Sequence, residues 1–435
     1  MLTLGASCVP TKSAKPPVTT AQTTDVLTVF LTGDELGALK PCGCSGGQLG
    51  GLDRRSAILK SVPKDRRLIL DSGRFVDGDS EQDLIKFNIV IQALSLLDYD
   101  VVSLAKEDVE IAEELGLLNS VGSVLNVISA HTPAELNMPA RFTKQYQIGN
   151  ENVTVTVAAF DAESAALRQI AQLFPATFGA QRVNILIVSR CDSDTIRSIA
   201  KNAPNVDCLV CPSNSDEPMI IGDPNDKPLA LAVGRFGRYV CRLQIKPAQS
   251  EGKLKLSFGT IAVEEQLPQE PSLVRLYKDY QQLVRQANLL RKHPRFALPN
   301  DLKYMGSESC KACHEYEYQA WSSKAHAHAY ATLVKVGSQF DPECVVCHVV
   351  GMDYESGFIS EQESAHLRNV GCENCHGPGS EHIRTLGNAK TTRPKSACLD
   401  CHTPEQSANY AGNEQLYLEK IVHWREPKAA GNVKN

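Results

Sequence analysis

The chain has 435 residues, 42% of them hydrophobic, and a formal net charge of −5. That length suits two or three domains with sizeable cores, and the acidic balance excludes a general nucleic-acid binder and favours basic partners. No apolar run reaches the roughly 18 residues of a bilayer span, so membrane contact would have to come from an anchor outside the folded body.

In chain order, Leu4-Gly5-Ala6-Ser7-Cys8 resembles a bacterial lipoprotein cleavage site and makes Cys8 a candidate for lipidation. A tail with one stray cysteine reads the same residues equally well. Residues 9–24, rich in Thr, Pro, Lys and Ser, read as a flexible tether, so residues 1–25 form a lipoprotein-like terminus.

From residue 26 to 264, short β-branched runs alternate with helical stretches. Strands are expected at Val26 to Leu31, Arg67 to Leu70, Val101 to Leu104, Val153 to Phe160, Val183 to Val188 and Val206 to Val210, an α/β pattern. Three later runs, Leu229 to Val233, Tyr239 to Ile245 and Leu254 to Val263, lack long helices between them and suggest antiparallel strands at the end of a sheet. A linker over 265–303 holds an amphipathic helix beginning after Pro271, with Leu273, Leu276, Tyr277, Tyr280, Leu283, Val284, Ala287 and Leu290 on one face. Residues 304–427 turn to Cys, His, Gly and short helical pieces, and 428–435 are a tail.

Within that last third stand Cys310-Lys311-Ala312-Cys313-His314, Cys344-Val345-Val346-Cys347-His348, Cys372-Glu373-Asn374-Cys375-His376 and Cys398-Leu399-Asp400-Cys401-His402. Each is an attachment sequence for a c-type haem: two thiols add to the porphyrin vinyl groups and the adjacent imidazole reaches the iron. With 15 Cys and 11 His in 435 residues, composition alone predicts about 0.01 such pentapeptides. Zinc knuckles would use the Cys pairs but would not demand a His after every second Cys. Four covalently bound c-type haems are therefore expected, with His314, His348, His376 and His402 as proximal ligands.

A second ligand on each iron separates electron carriers from catalysts. The spare histidines nearby are His293, His326, His328, His366, His382 and His423. Gly306 to Cys310, Trp321 to Tyr330, Cys347 to Gly351 and Val370 to His382 together resemble the tetrahaem cytochrome c-554 family over about residues 304–427. The resemblance implies a haem-cored, mainly α cytochrome domain in which His382 caps the first iron, His326 the third and His423 the fourth. It also implies that the second iron, on His348, is five-coordinate and the one place for small-ligand chemistry; His328, His366 and Met352 are alternative ligands there.

In the first half, Val29 to Asp34, Gly50 to Arg55, Leu68 to Gly73, Tyr99 to Leu104, Asn205 to Asp207 and Gly234 to Tyr239 resemble a 5′-nucleotidase-type metallophosphoesterase. The resemblance implies a layered α/β sandwich. Asp34 fits the family's first metal ligand, but Leu36, Arg74, Ala105-Lys106-Glu107-Asp108, Arg190 and Pro212 to Ser215 stand where the other ligands belong. Arg74, Lys106 and Arg190 would then put cationic side chains where metals sat, pairing with Asp71 or Asp108 or binding an oxyanion. Cys42, Cys44, Cys191 and Cys211 form a candidate thiol site, as a disulfide, a metal site or buried thiols.

The expected protein is an exported tetrahaem cytochrome, periplasmic or at the cell surface, that relays electrons between other redox proteins. Its degenerate phosphoesterase-fold domain would dock a partner or bind a small oxyanion. An oxidoreductase acting on a nitrogen or sulfur oxyanion at the His348 haem, and an active phosphoesterase, are the competing expectations.

Overall fold

The computed structural model describes residues 25–41, 47–131, 138–162, 167–174, 181–248, 254–392, 394, 398–404, 406–407 and 409–424. Cys8, Cys42, Cys44 and the 428–435 tail lie outside the described residues.

Among the described residues, twelve strands build two sheets: β1 (Leu27–Thr32), β2 (Arg67–Asp71), β3 (Val101–Leu104), β4 (Val127–Ser129), β5 (Arg141–Ile148), β6 (Glu151–Phe160), β7 (Gln181–Val188), β8 (Cys208–Cys211), β9 (Met219–Ile221), β10 (Leu229–Ala232), β11 (Tyr239–Pro247) and β12 (Leu254–Ala262). The first sheet runs β12-β11-β1-β2-β3-β4 and the second β5-β6-β7-β8-β10-β9. In the first, β1 to β4 are parallel and β11 and β12 antiparallel.

Alternation along β1 explains the layering. Leu27, Val29 and Leu31 face a core between the sheets with Val155, Val157, Ile185 and Leu231, while Phe30 faces the opposite way, toward helices. That outer layer holds α1 (Leu52–Leu59) and α2 (Glu81–Leu96). The second sheet's outer face is covered by α3 (Ser193–Asn202), with Ile199 packed on Leu186 and Leu209. Burying each such side chain stabilises the fold by about 1.5–3 kcal/mol, so two-sided sheets need helices on both outer faces.

The last three strand runs are not one antiparallel group. β11 and β12 pair antiparallel as expected, but Leu229–Ala232 belongs to the second sheet, parallel to β8 and antiparallel to the short β9. Its four residues are all buried, the pattern of an interior strand covered on both faces.

The linker helix α4 (Pro271–Ala287) starts with Pro at its first turn and ends at left-handed Asn288, φ 53°. Leu273, Leu276, Tyr280 and Val284 are its buried face and join the core of the first sheet. Beyond it, short helices and turns surround a smaller cluster that includes Tyr330, Val345, Val349, Met352 and Phe358.

Candidate haem-binding site

A cavity of about 2560 Å³ is lined by Cys344, Cys347, Cys375, Cys398 and Cys401 together with His326, His348, His376, His402 and His423. Three pairs of imidazoles face each other in this half. Ring centroids are 6.0 Å apart for His314 and His382, 6.3 Å for His326 and His402, and 6.2 Å for His376 and His423. An iron held between two imidazole nitrogens at about 2 Å each separates their centroids by about 6 Å. The pairs therefore fit haem iron, and each joins a motif histidine to one of the spare histidines.

Hydrogen bonds fix several of these rings. His382 Nδ1 meets the Ala389 carbonyl at 2.7 Å, His348 Nδ1 the Ala329 carbonyl at 2.7 Å and His423 Nδ1 the Ile421 carbonyl at 2.9 Å. A carbonyl accepts only from N–H, so Nδ1 carries the proton and Nε2 keeps the lone pair a metal needs. Burial also holds His326, His348, His376 and His402 below the ordinary histidine range, which favours the neutral, ligating form.

The pairing differs in one respect from the family's pattern. His326 faces His402 of the fourth motif and His423 faces His376 of the third, where the resemblance implied the reverse. Local packing accounts for it. His402 is stacked on Tyr410 at 4.9 Å and edge-on to Tyr417 at 5.3 Å, which fill the side toward the final helix. On the other side, Trp321 Nε1 donates to the Val370 carbonyl at 3.0 Å, and the Val370 N–H donates to the His326 carbonyl at 3.1 Å, anchoring the His326 turn. Trp321 thus positions a ligand segment.

The other spare histidines lie elsewhere. His328 and His366 are exposed, and His293 Nε2 is bonded to Asp353 Oδ1 at 2.7 Å. Met352 is 2% exposed and belongs to the apolar cluster that also borders the cavity.

The attachment thiols are also neighbours: Cys310 lies near Cys372, Cys347 near Cys401 and Cys375 near Cys398. The motifs are thus ordered first, third, fourth, second in space. Glu373, an unremarked residue inside the third motif, is 4% exposed and accepts the backbone N–H groups of Met305, Gly306 and Gly379, at 2.7 Å for the last two. It ties the approach to the first motif onto the third.

In the α/β domain, the carboxyl ends of β1, β2 and β3 converge, the usual place for a ligand in an open α/β sheet. There Asp34 Oδ1 meets Arg74 Nη1 at 3.2 Å and Asp34 Oδ2 accepts the Ser213 N–H at 2.6 Å. Burial, against the pull of Arg74, pushes the Asp34 carboxyl up to about 6. Asp71 accepts from Thr32 Oγ1 and from the Gly73 N–H, and Asp108 from the backbone N–H groups of Arg74, Phe75 and Ala105. Gly73, at φ +90°, has no room for a side chain, since a Cβ would lie 2.6 Å from the Ser103 carbonyl oxygen.

Of the three cations expected at metal positions, only Arg74 bonds into this cluster, and it pairs with Asp34 rather than with Asp71 or Asp108. Lys106 pairs with Glu110 at 3.6 Å and Arg190 with Asp192, both on the surface. A second ion pair lies deeper: Arg55, fully buried, meets Glu35 at 2.5 Å and Tyr99 Oη at 3.3 Å. Among the described residues, no group of three or more His, Cys, Asp or Glu is arranged to hold a metal ion directly.

Cys191 and Cys211 form a disulfide, Cα atoms 5.6 Å apart. Neither is left to pair with Cys42 or Cys44, which corrects the expectation of one shared thiol site. Cys208 and Cys241 are buried thiols whose pKa values burial pushes upward.

Residues 309–377 match the family described as cytochrome c554 and c-prime. The chain is 35% identical over 98 residues to cytochrome c-554 of Nitrosomonas europaea, a match that spans 19% of this chain and 42% of that protein. The fold is similar to the calcineurin-like phosphoesterase YfkN of Bacillus subtilis, with a TM-score of 0.45 and 12% identity over 60% of this chain and 97% of the other. It is also similar to a 5′-nucleotidase precursor of Thermus thermophilus, with a TM-score of 0.44 and 17% identity over 62% and 61% of the two chains.

Proposed function

We propose that the chain, whose C-terminal segment matches the cytochrome c554 and c-prime family, is an exported c-type cytochrome that carries four haems and relays electrons between redox proteins. The observation that carries this reading is the set of three facing imidazole pairs, 6.0 to 6.3 Å apart, beside four attachment motifs. Haem, when bound, supplies a one-electron ferric–ferrous couple. The chain's residues would do the rest: the motif thiols would anchor haem and the paired histidines would hold its iron, while carbonyl acceptors fix the tautomers of His348, His382 and His423. The proximity of the motifs in the order first, third, fourth, second would lay out a path through the domain.

The α/β domain in this reading is a phosphoesterase-fold scaffold without hydrolytic chemistry. A dinuclear site needs several free carboxylates and histidines, yet both oxygens of Asp34 are taken by Arg74 and Ser213. Non-glycine residues in left-handed conformation, Asp34, Leu36, Arg74 and Phe236, gather at the same strand ends, as strained backbone does at ligand sites. The Cys191–Cys211 disulfide fits an oxidising compartment outside the cytoplasm.

Reductive titration of the purified holoprotein, followed in the visible haem bands, tests the relay. Uptake of four electrons per chain, fully reversed by a soluble oxidant, is expected. Haems that take up no electrons, or fewer than one each, would overturn it.

A further inference from the structure

Two lines of contact run from the α/β domain to the second attachment motif. In the first, Gly37 at φ +78° brings the loop after β1 onto Lys86, so close that a Cβ there would lie 3.2 Å from Lys86 Nζ. Lys86, 6% exposed on α2, meets Glu343 Oε1 at 2.5 Å, and Glu343 is bonded in sequence to Cys344. In the second, Lys40 Nζ lies 5.5 Å over the Tyr277 ring of α4. Tyr277, Ser338 and Cys344 line the same cavity.

A buried clamp holds both lines in place. Gln82 Nε2 donates to Asp341 Oδ1 at 2.9 Å and to Tyr280 Oη at 2.8 Å, and Tyr280 donates to Asp341 Oδ2 at 2.9 Å. Asp341 also accepts the Glu343 N–H and so caps the turn that leads into Cys344. Lys86 and Glu343 border the same cavity as Cys344, Cys347 and His348.

We infer that the α/β domain holds up the reduction potential of the second haem by supplying Lys86 to offset the charge of Glu343. This rests on the reading that the second motif carries haem. Lys86 is buried and the Glu343 side chain is half exposed beside the cavity, so both charges reach a group held in that cavity through less water than bulk solvent would put between them. A cation there opposes the additional positive charge of ferric iron and favours reduction; a carboxylate does the opposite. Together the two nearly cancel, so removing either uncovers the other. Lys86 is a positioning residue of the cytochrome that the α/β domain supplies, and the first half of the chain is thereby a working part of the redox unit.

Potentiometric titration of the full-length holoprotein tests this. In Lys86→Gln, one of the four waves moves to lower potential; in Glu343→Gln, the same wave moves higher. Lys86→Arg keeps it in place, and the double neutral variant returns it close to the original. If no wave moves in either single variant, or the wave moves the same way in both, the inference fails. Haem counts on the same samples keep the two claims apart. Four haems with unmoved waves defeat this inference alone, whereas fewer than four in the unaltered protein defeat the reading beneath it.

Discussion

His423 faces His376 with ring centroids 6.2 Å apart, although His402 is the nearer of the two in sequence. His326, far upstream, takes the place opposite His402. In the proposed assignment, the segment after the fourth motif would close the third site, and the turn before the second motif would close the fourth. His423→Ala therefore turns one haem from low to high spin, as read by electron paramagnetic resonance. The change is absent when the third motif has already been removed by Cys372→Ala with Cys375→Ala. Persistence of the His423 effect in that background would assign His423 to another iron.

Arg55 and Glu35 make a fully buried ion pair that no motif announces. Arg55→Met strands the Glu35 carboxylate and is expected to cost about 3–5 kcal/mol. Adding Glu35→Leu recovers most of that loss, because two apolar side chains leave no uncompensated charge. Urea unfolding followed by far-ultraviolet circular dichroism measures both variants, and an equal loss in the double variant would refute the pairing.

The Asp34–Arg74 contact predicts no phosphatase activity. With 4-nitrophenyl phosphate and added manganese, release of nitrophenol should stay at the protein-free level. Turnover that disappears in Asp34→Asn would restore the hydrolase reading.

The disulfide between Cys191 and Cys211 closes a loop with a sequence separation of 20. Alkylation of the unfolded, unreduced protein should leave both unmodified. Replacing both by Ser is expected to lower stability by about 3 kcal/mol. Labelling of either cysteine without reductant would argue against the bond.

Much of the fold was legible because apolar runs with period two persist along buried strands: the expected Val101 to Leu104 is the observed β3, and Val153 to Phe160 lies within β6. β5 escaped because Arg141, Thr143 and Gln145 are among its exposed residues and its sequence carries little apolar signal. The haem motifs were read from spacing alone, since chemistry fixes Cys, Cys and His within five residues. Which distal histidine meets which proximal one was not legible, because stacking on Tyr410 and Tyr417 and the Trp321–Val370–His326 bonds decide it across long separations. The Arg55–Glu35 pair was hidden for a related reason: burial of a charge depends on tertiary neighbours, while sequence treats Arg and Glu as surface residues.

Attachment of four haems through eight named cysteines, with three irons held between paired histidines, is open to a single combined measurement. Intact-mass determination of the exported protein, joined to near-infrared magnetic circular dichroism of the oxidised form, reads both parts at once. Four haem masses added to the chain are expected, with bis-histidine charge-transfer bands equivalent to three or more haems. A mass without haem, zinc bound at the Cys pairs instead, or histidine–methionine bands in place of the bis-histidine ones would refute the assignment.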